Sequence, residues 1–216
     1  MRRIVSLALI TAIAAFGPVL AAAPAAAQSE RGCSSPKGCV LALSVTGYVD
    51  AIMVDFMERS VRDANNATGY LAVVLVVDSP GVVVSDSSFN ALVSRLRASK
   101  VPVSAWVGPS GAQAIGGSAE LVAALSGSMA PNTSLGNVGT PRLDPAVFGA
   151  PFDGRGRIAR TRELDEKQAV KAGIVERVDP TLGDHALAIK GIPSKQVKDS
   201  QGRPKREVNF LPATSR

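Results

Sequence analysis

Three apolar runs constrain the fold more than anything else in this chain: Val40 to Val45, Leu71 to Val77 and Val101 to Val107. Each is rich in β-branched residues and apolar on both faces, the pattern of strands buried on both sides within a parallel sheet. Amphipathic stretches separate them. Met53, Phe56, Met57, Ser60, Val61 and Ala64 recur at helical spacing after Asp50, and Phe89, Leu92, Val93 and Leu96 do so after the cap signal Ser85-Asp86. A third set, Leu121, Val122 and Leu125, follows a glycine-rich turn. Strand alternating with helix predicts an α/β domain built on a layered parallel sheet with right-handed connections.

After Asn137 the pattern lapses into a long loop punctuated by Pro141, Pro145, Pro151, Gly154 and Gly156. Arg162 to Ala172 then reads as a short helix closed by Gly173, with Ile174-Val175 entering a strand, and Asp184 to Lys190 as a last short helix. Residues 40–190 are therefore expected to form one domain. Residues 191–216 hold Lys195, Lys198, Arg203, Lys205 and Arg206 together with Pro193 and Pro204, show no apolar period, and read as a basic polar linker or tail.

The first 27 residues have a different character. Arg2 and Arg3 precede an uncharged apolar stretch from Ile4 to Leu20, which gives way to small residues ending at Ala25-Ala26-Ala27. This order predicts a secretory signal peptide cut before Gln28 and hence an exported protein. Gly17 and Pro18 interrupt the apolar run, which argues against a retained anchor helix, and the charged Glu30 and Arg31 ahead of Cys33 argue against lipid attachment. Cys33 and Cys39, close together in the exported segment 28–39, are expected to pair as a disulfide.

Net charge bounds the partners. The chain has 24 basic and 18 acidic residues; residues 1–27 contain two of the basic ones and no acid, so the mature excess is only +4. One tryptophan and two tyrosines leave nothing to interleave with the basic residues, and no nucleic acid is expected as a partner. With His185 the only histidine and two cysteines, no metal site and no cofactor are expected.

In parallel α/β sheets ligands gather at the carboxyl ends of strands, here the loops Asp78-Ser79-Pro80-Gly81-Val82 and Gly108 to Ser118. Gly116 and Gly117 lie in the second loop, which opens a helix whose first amides favour an oxyanion. An acid at a strand end such as Asp78 is expected to cap the following turn.

The ordered motifs Val45-x-Gly47-x-Val49-Asp50, Asp78-Ser79-Pro80-Gly81, Val101-Pro102-Val103, Pro109-Ser110-Gly111-Ala112-x-Ala114, Met129-Ala130-Pro131-Asn132-Thr133 and Ala169-x-x-Ala172-Gly173-Ile174-Val175 resemble the ClpP-class domain of the NfeD membrane-bound serine proteases. The resemblance spans residues 40–190 and implies a ClpP/crotonase-like layered parallel sheet with flanking helices, a serine nucleophile with a lysine base, and exported or membrane polypeptides as substrates. It also implies self-association, placed at the sheet edge and the loop from Asn137 to Arg160, and a membrane-protein partner.

The resemblance departs at the chemistry. It lays the nucleophile position on Gly116, with Ser118 two residues further on as a shifted alternative, and it places Val82 where an oxyanion-loop glycine stands beside Gly81. Between Ser118 and Glu166 there is no lysine or histidine, only Arg142, Arg155, Arg157, Arg160 and Arg162, whose guanidinium groups stay protonated. Lys167 and Lys171 on the closing helix and His185 on the last one are the candidate bases within the domain. Lys167 is expected on a solvated face, and His185 at the surface or with its ring nitrogens satisfied. Two readings stay open: a polypeptide-binding relative with degenerate catalytic residues, and an active serine endopeptidase using Ser118.

Overall fold

The computed structural model describes residues 33, 35, 38–193, 195–198 and 200–215; the signal peptide and cleavage point expected from the sequence lie outside them. In chain order the elements are β1 (Cys39–Thr46), α1 (Ala51–Asn66), β2 (Tyr70–Asp78), α2 (Asp86–Arg97), β3 (Val103–Val107), β4 (Gln113–Ile115) and α3 (Gly117–Ala124). There follow β5 (Ser128–Met129), β6 (Ser134–Gly136), α4 (Pro145–Phe148), a 3-10 turn over Gly154–Arg160, β7 (Glu163–Asp165), α5 (Glu166–Ala172) and β8 (Arg177–Val178). α6 (Leu182–Ala188), β9 (Lys195–Lys198), β10 (Pro204–Glu207) and β11 (Phe210–Thr214) complete it.

Six strands form one parallel sheet in the order β11-β1-β2-β3-β5-β8. Both of its faces are covered, which explains why the strands are apolar throughout. Leu41, Leu43 and Val45 of β1 share one face with Val73, Leu75 and Val77 of β2, and pack against the buried Met53, Met57, Phe89 and Leu92 of α1 and α2. The alternate residues Val40, Ala72, Val74 and Trp106 form a smaller core on the opposite face with Ala186 of α6 and Ile192. This period of two decides which residues can meet at each face.

Local signals read from the sequence are realised. Asp50 caps α1 by accepting from the Met53 amide at 2.9 Å, and Ser85 caps α2 through the Ser88 amide at 3.3 Å. Cys33 and Cys39 are joined by a disulfide.

Four expectations need correction. The third strand begins at Val103 rather than Val101. Residues 163–165 form β7 in a small second sheet, β4-β6-β7, and the closing helix starts only after Asp165, whose side chain and that of Gln168 make a capping box. The expected long loop from Asn137 to Arg160 contains α4 and the 3-10 turn, and it buries Val138, Leu143, Phe152 and Ala159. Finally, the expected tail carries regular structure: β9 and β10 pair antiparallel as an exposed hairpin, and β11 adds a parallel edge strand to β1.

Candidate functional site

The loops after β2 and β3 are drawn together by the backbone. The Ser79 amide donates to the Gln113 carbonyl at 2.7 Å, and the Ile115 amide donates back to Ser79 at 3.0 Å. Asp78 locks this pairing by accepting from the Gln113 amide at 3.1 Å, so the acid at the strand end organises the turn. On the other side the Val49 amide donates to Gly81 at 2.9 Å and the Val83 amide to Val49 at 3.0 Å. Residues 79–83 are thereby held between β4 and the segment leading into α1. Tyr48, Ile52 and Val83, on or beside that segment, are large apolar side chains left exposed.

Gly116 stands at the head of α3 with φ 58° and ψ −128°, and its amide donates to Gly136 at 2.9 Å. A residue with a side chain would adopt this backbone only at a cost of about 1–3 kcal/mol. Space does not forbid one: a Cβ there would meet only the Asn137 carbonyl oxygen, at 4.0 Å. The position that the family resemblance assigns to a nucleophile is therefore sharply turned, open and empty of any reactive atom. Gly117 is different. A Cβ on it would lie 2.8 Å from Cγ2 of Val82, so the valine of the loop after β2 is packed directly against the start of α3, and only glycine fits beneath it.

Ser118 does not reach the open position. It is fully buried, and its Oγ lies 2.7 Å from Oγ of Ser79, itself fully buried. Ser79 Oγ also accepts from the Gly81 amide at 3.3 Å and lies 3.2 Å from the Gly81 carbonyl. The two hydroxyls tie the first turn of α3 to the loop after β2. The partners of these hydroxyls are each other and Gly81, with no base among them. Lys167 and Lys171 are exposed on α5, and Lys171 borders a surface depression with Arg155, Ile158, Arg162 and Gln168.

His185 is satisfied and buried. Its Nε2 lies 2.9 Å from Oγ of Ser104 on β3, and its Nδ1 lies 2.7 Å from Oγ of Ser128 and 3.1 Å from Oδ2 of Asp179. Ser104 and Trp106 share a strand face, so this network belongs to the smaller core under α6, across the sheet from α1 and α2. Asp179 also takes Arg177 Nε at 2.9 Å.

A second buried acid escaped the sequence reading. Glu120 on α3 is 2% exposed, and its Oε2 accepts from the Arg142 and Leu143 amides at 2.8 and 2.9 Å. The Arg142 guanidinium reaches outward to the carbonyls of Val82, at 2.7 Å, and Val84, and to the Asp86 carboxylate at 2.6 Å. Glu120 and Arg142 together clamp the 137–145 loop across the mouth of α3 and residues 82–86. The sequence did contain a signal, a glutamate inside the apolar stretch Ala119-Glu120-Leu121-Val122.

The sequence matches no protein-family model and no curated protein. Solved structures do match in shape. The 1510-N membrane-bound stomatin-specific protease, in a complex with a substrate peptide, superposes with a TM-score of 0.60 at 20% identity over 83% of this chain and 93% of that one. The catalytic domain of ClpP protease from Plasmodium falciparum gives 0.52 at 13% identity over 65% and 85%. Enoyl-CoA hydratase from Bacillus halodurans gives 0.51 at 14% over 66% and 68%. With proteases of the ClpP class and a hydratase of the crotonase type on the same frame, the chain has the ClpP/crotonase fold.

Proposed function

We propose that this protein is an exported, NfeD-like ClpP-class domain that binds extended polypeptide across Gly116 and does not hydrolyse it efficiently. The observation that carries the reading is Gly116 itself, an open, sharply turned helix start with no nucleophile on it. Three further features support it. Ser118 spends its hydroxyl on Ser79 in a fully buried position. Val82 fills space over Gly117 where an oxyanion would need donors. The lysines of α5 are exposed, where nothing holds an ammonium neutral. Polypeptide is the ligand class because a protease of the same fold binds a substrate peptide, and because Tyr48, Ile52 and Val83 offer apolar contact beside the turn.

Loss of nucleophile, base and oxyanion donor each removes several kcal/mol of transition-state stabilisation, so little should remain above background. Purified protein treated with a fluorophosphonate probe is expected to stay unlabelled. Labelling that disappears in Ser118→Ala would restore the active endopeptidase instead. In parallel, an apolar fluorescent decapeptide should bind by anisotropy, and Tyr48→Ala with Ile52→Ala should weaken it by about tenfold, the scale of one to two buried side-chain contacts. Unchanged affinity would place the ligand elsewhere.

Export supplies its own test. The material recovered outside the cytoplasm should begin at Gln28 by mass spectrometry, since the small-residue triplet ends at Ala27. Retention of Met1 would remove that part of the proposal.

A further inference from the structure

Behind the clamp formed by Glu120 and the 137–145 loop lies a cavity of about 240 Å³. Its wall includes Ala124 of α3, Leu143, Phe148 of α4 and Phe152, with Glu120 as its buried acid. Asp153 and Arg160 line it as well, already joined to each other by an ion pair, and Arg160 Nε also donates to the Phe152 carbonyl at 2.9 Å. The volume suits a ligand of side-chain size rather than a drug-sized molecule.

Glu120 is the unusual element. Both loop amides go to Oε2, while Oε1 is buried and has no hydrogen-bond partner among the described residues. A buried carboxylate oxygen left without a donor is costly, and the side chain that carries it lines the cavity. Burial pushes the Glu120 carboxyl above its ordinary value, against the two amide bonds and the Arg142 charge, with Asp86 adding to the rise. The Arg142 guanidinium is committed to Val82, Val84 and Asp86 and does not reach Oε1.

We propose that this cavity is a binding site for a primary alkylammonium of four to six carbons, the chemistry of a lysine side chain, with the ammonium on Oε1 of Glu120 and the alkyl chain among Leu143, Phe148 and Phe152. An apolar wall, aromatic rings and one unpaired carboxylate oxygen are the complement of a cation on an aliphatic stem. A neutral alcohol of equal length would gain the same burial but a weaker hydrogen bond. An alkyl carboxylate would meet the like charge of Glu120. The site stands independently of whether the Gly116 turn binds polypeptide.

The test is a titration of the full protein with n-pentylammonium chloride, followed by the amide resonances of Arg142 and Leu143, which report on Glu120 directly. Saturation at millimolar concentrations is expected for a ligand of this size. Pentanol should bind at least tenfold more weakly. Glu120→Gln keeps an oxygen for both loop amides while placing an NH2 donor into the cavity, and should weaken pentylammonium by at least tenfold. Ala124→Leu fills the cavity from the next turn of α3 while leaving the Glu120 carboxylate itself in place, and should abolish binding, which keeps the proposal testable if the glutamine variant folds poorly. A peptide carrying lysine, compared with the same peptide carrying norleucine, separates the two sources. Tighter binding of the lysine peptide than of pentylammonium identifies a polypeptide side chain, and binding of the free amine alone identifies a small amine. Equal affinity for pentanol and pentylammonium, no saturable shift, or unaltered binding in Ala124→Leu overturns the proposal.

Discussion

Asp179→Ala is expected to destabilise the folded domain by about 3 kcal/mol, because it removes the buried carboxylate that joins Arg177 to His185. Asp179 is 6% exposed, and its carboxylate receives Arg177 and His185 while its carbonyl accepts from the Trp106 indole at 3.0 Å. Removing the side chain leaves His185 Nδ1 with Ser128 alone beside a new cavity, and Arg177 with Glu176 alone. For a chain of this size the midpoint of thermal unfolding should fall by roughly 6–12 °C. Burial alone would push the Asp179 carboxyl up, but the hydrogen bonds from His185 and Ser128 and the Arg177 and His185 charges hold it below its ordinary value.

The sign follows from that direction. An acid whose folded value is depressed contributes stability that is fully present above the unfolded value of about 3.9 and is lost as pH falls through the lower folded one. Urea unfolding of the parent and of Asp179→Asn, compared from pH 7 downward, should therefore show a gap that is constant to about pH 5 and closes in stronger acid. A gap that widens on acidification would mean that the network is held by the neutral carboxyl.

Much of the main sheet was legible because its strands are long, β-branched and covered on both faces. Val40 to Val45 and Leu71 to Val77 need no tertiary information to be read as buried strands, and Asp50 and Ser85 announce the helices behind them. What escaped was short or polar. β5 and β8 have two residues each, too few to show a period, and β7 merged with the helix reading because Glu163-Leu164-Asp165 runs straight into a capped helix. The loops that carry the candidate site were legible from topology, and Gly116 from the family motif. The clamp was not, since it depends on Glu120 meeting amides 22 and 23 residues away. His185 was bracketed between surface and satisfied; only the fold could bring Ser104, Ser128 and Asp179 to its two nitrogens.

The last segment shows the same limit and yields the other large effect. β11 reads Phe-Leu-Pro-Ala-Thr, and a proline within such a run is compatible with an edge strand but hides it from a period-based reading. In the structure Pro212 sits opposite Ala42 in a five-residue parallel register that runs from Val40 with Phe210 to Ser44 with Thr214. The Val40 amide donates to Asn209 at 2.8 Å, and Phe210 and Val208 pack against the smaller core. Ending the chain after Gly202 removes this ladder, at about 1 kcal/mol net per hydrogen bond, together with the partial burial of Phe210 and Leu211. A loss of about 4–6 kcal/mol is expected, with the thermal midpoint lowered by roughly 8–24 °C. The truncation also turns β1 into an edge: eight residues, seven of them buried or nearly so, with their backbone donors and acceptors uncovered. Such an edge recruits other strands, so the shortened protein should scatter light on mild heating where the full chain stays clear. A truncated protein with an unchanged midpoint and no aggregation would show that β1 is the true edge of the sheet in solution.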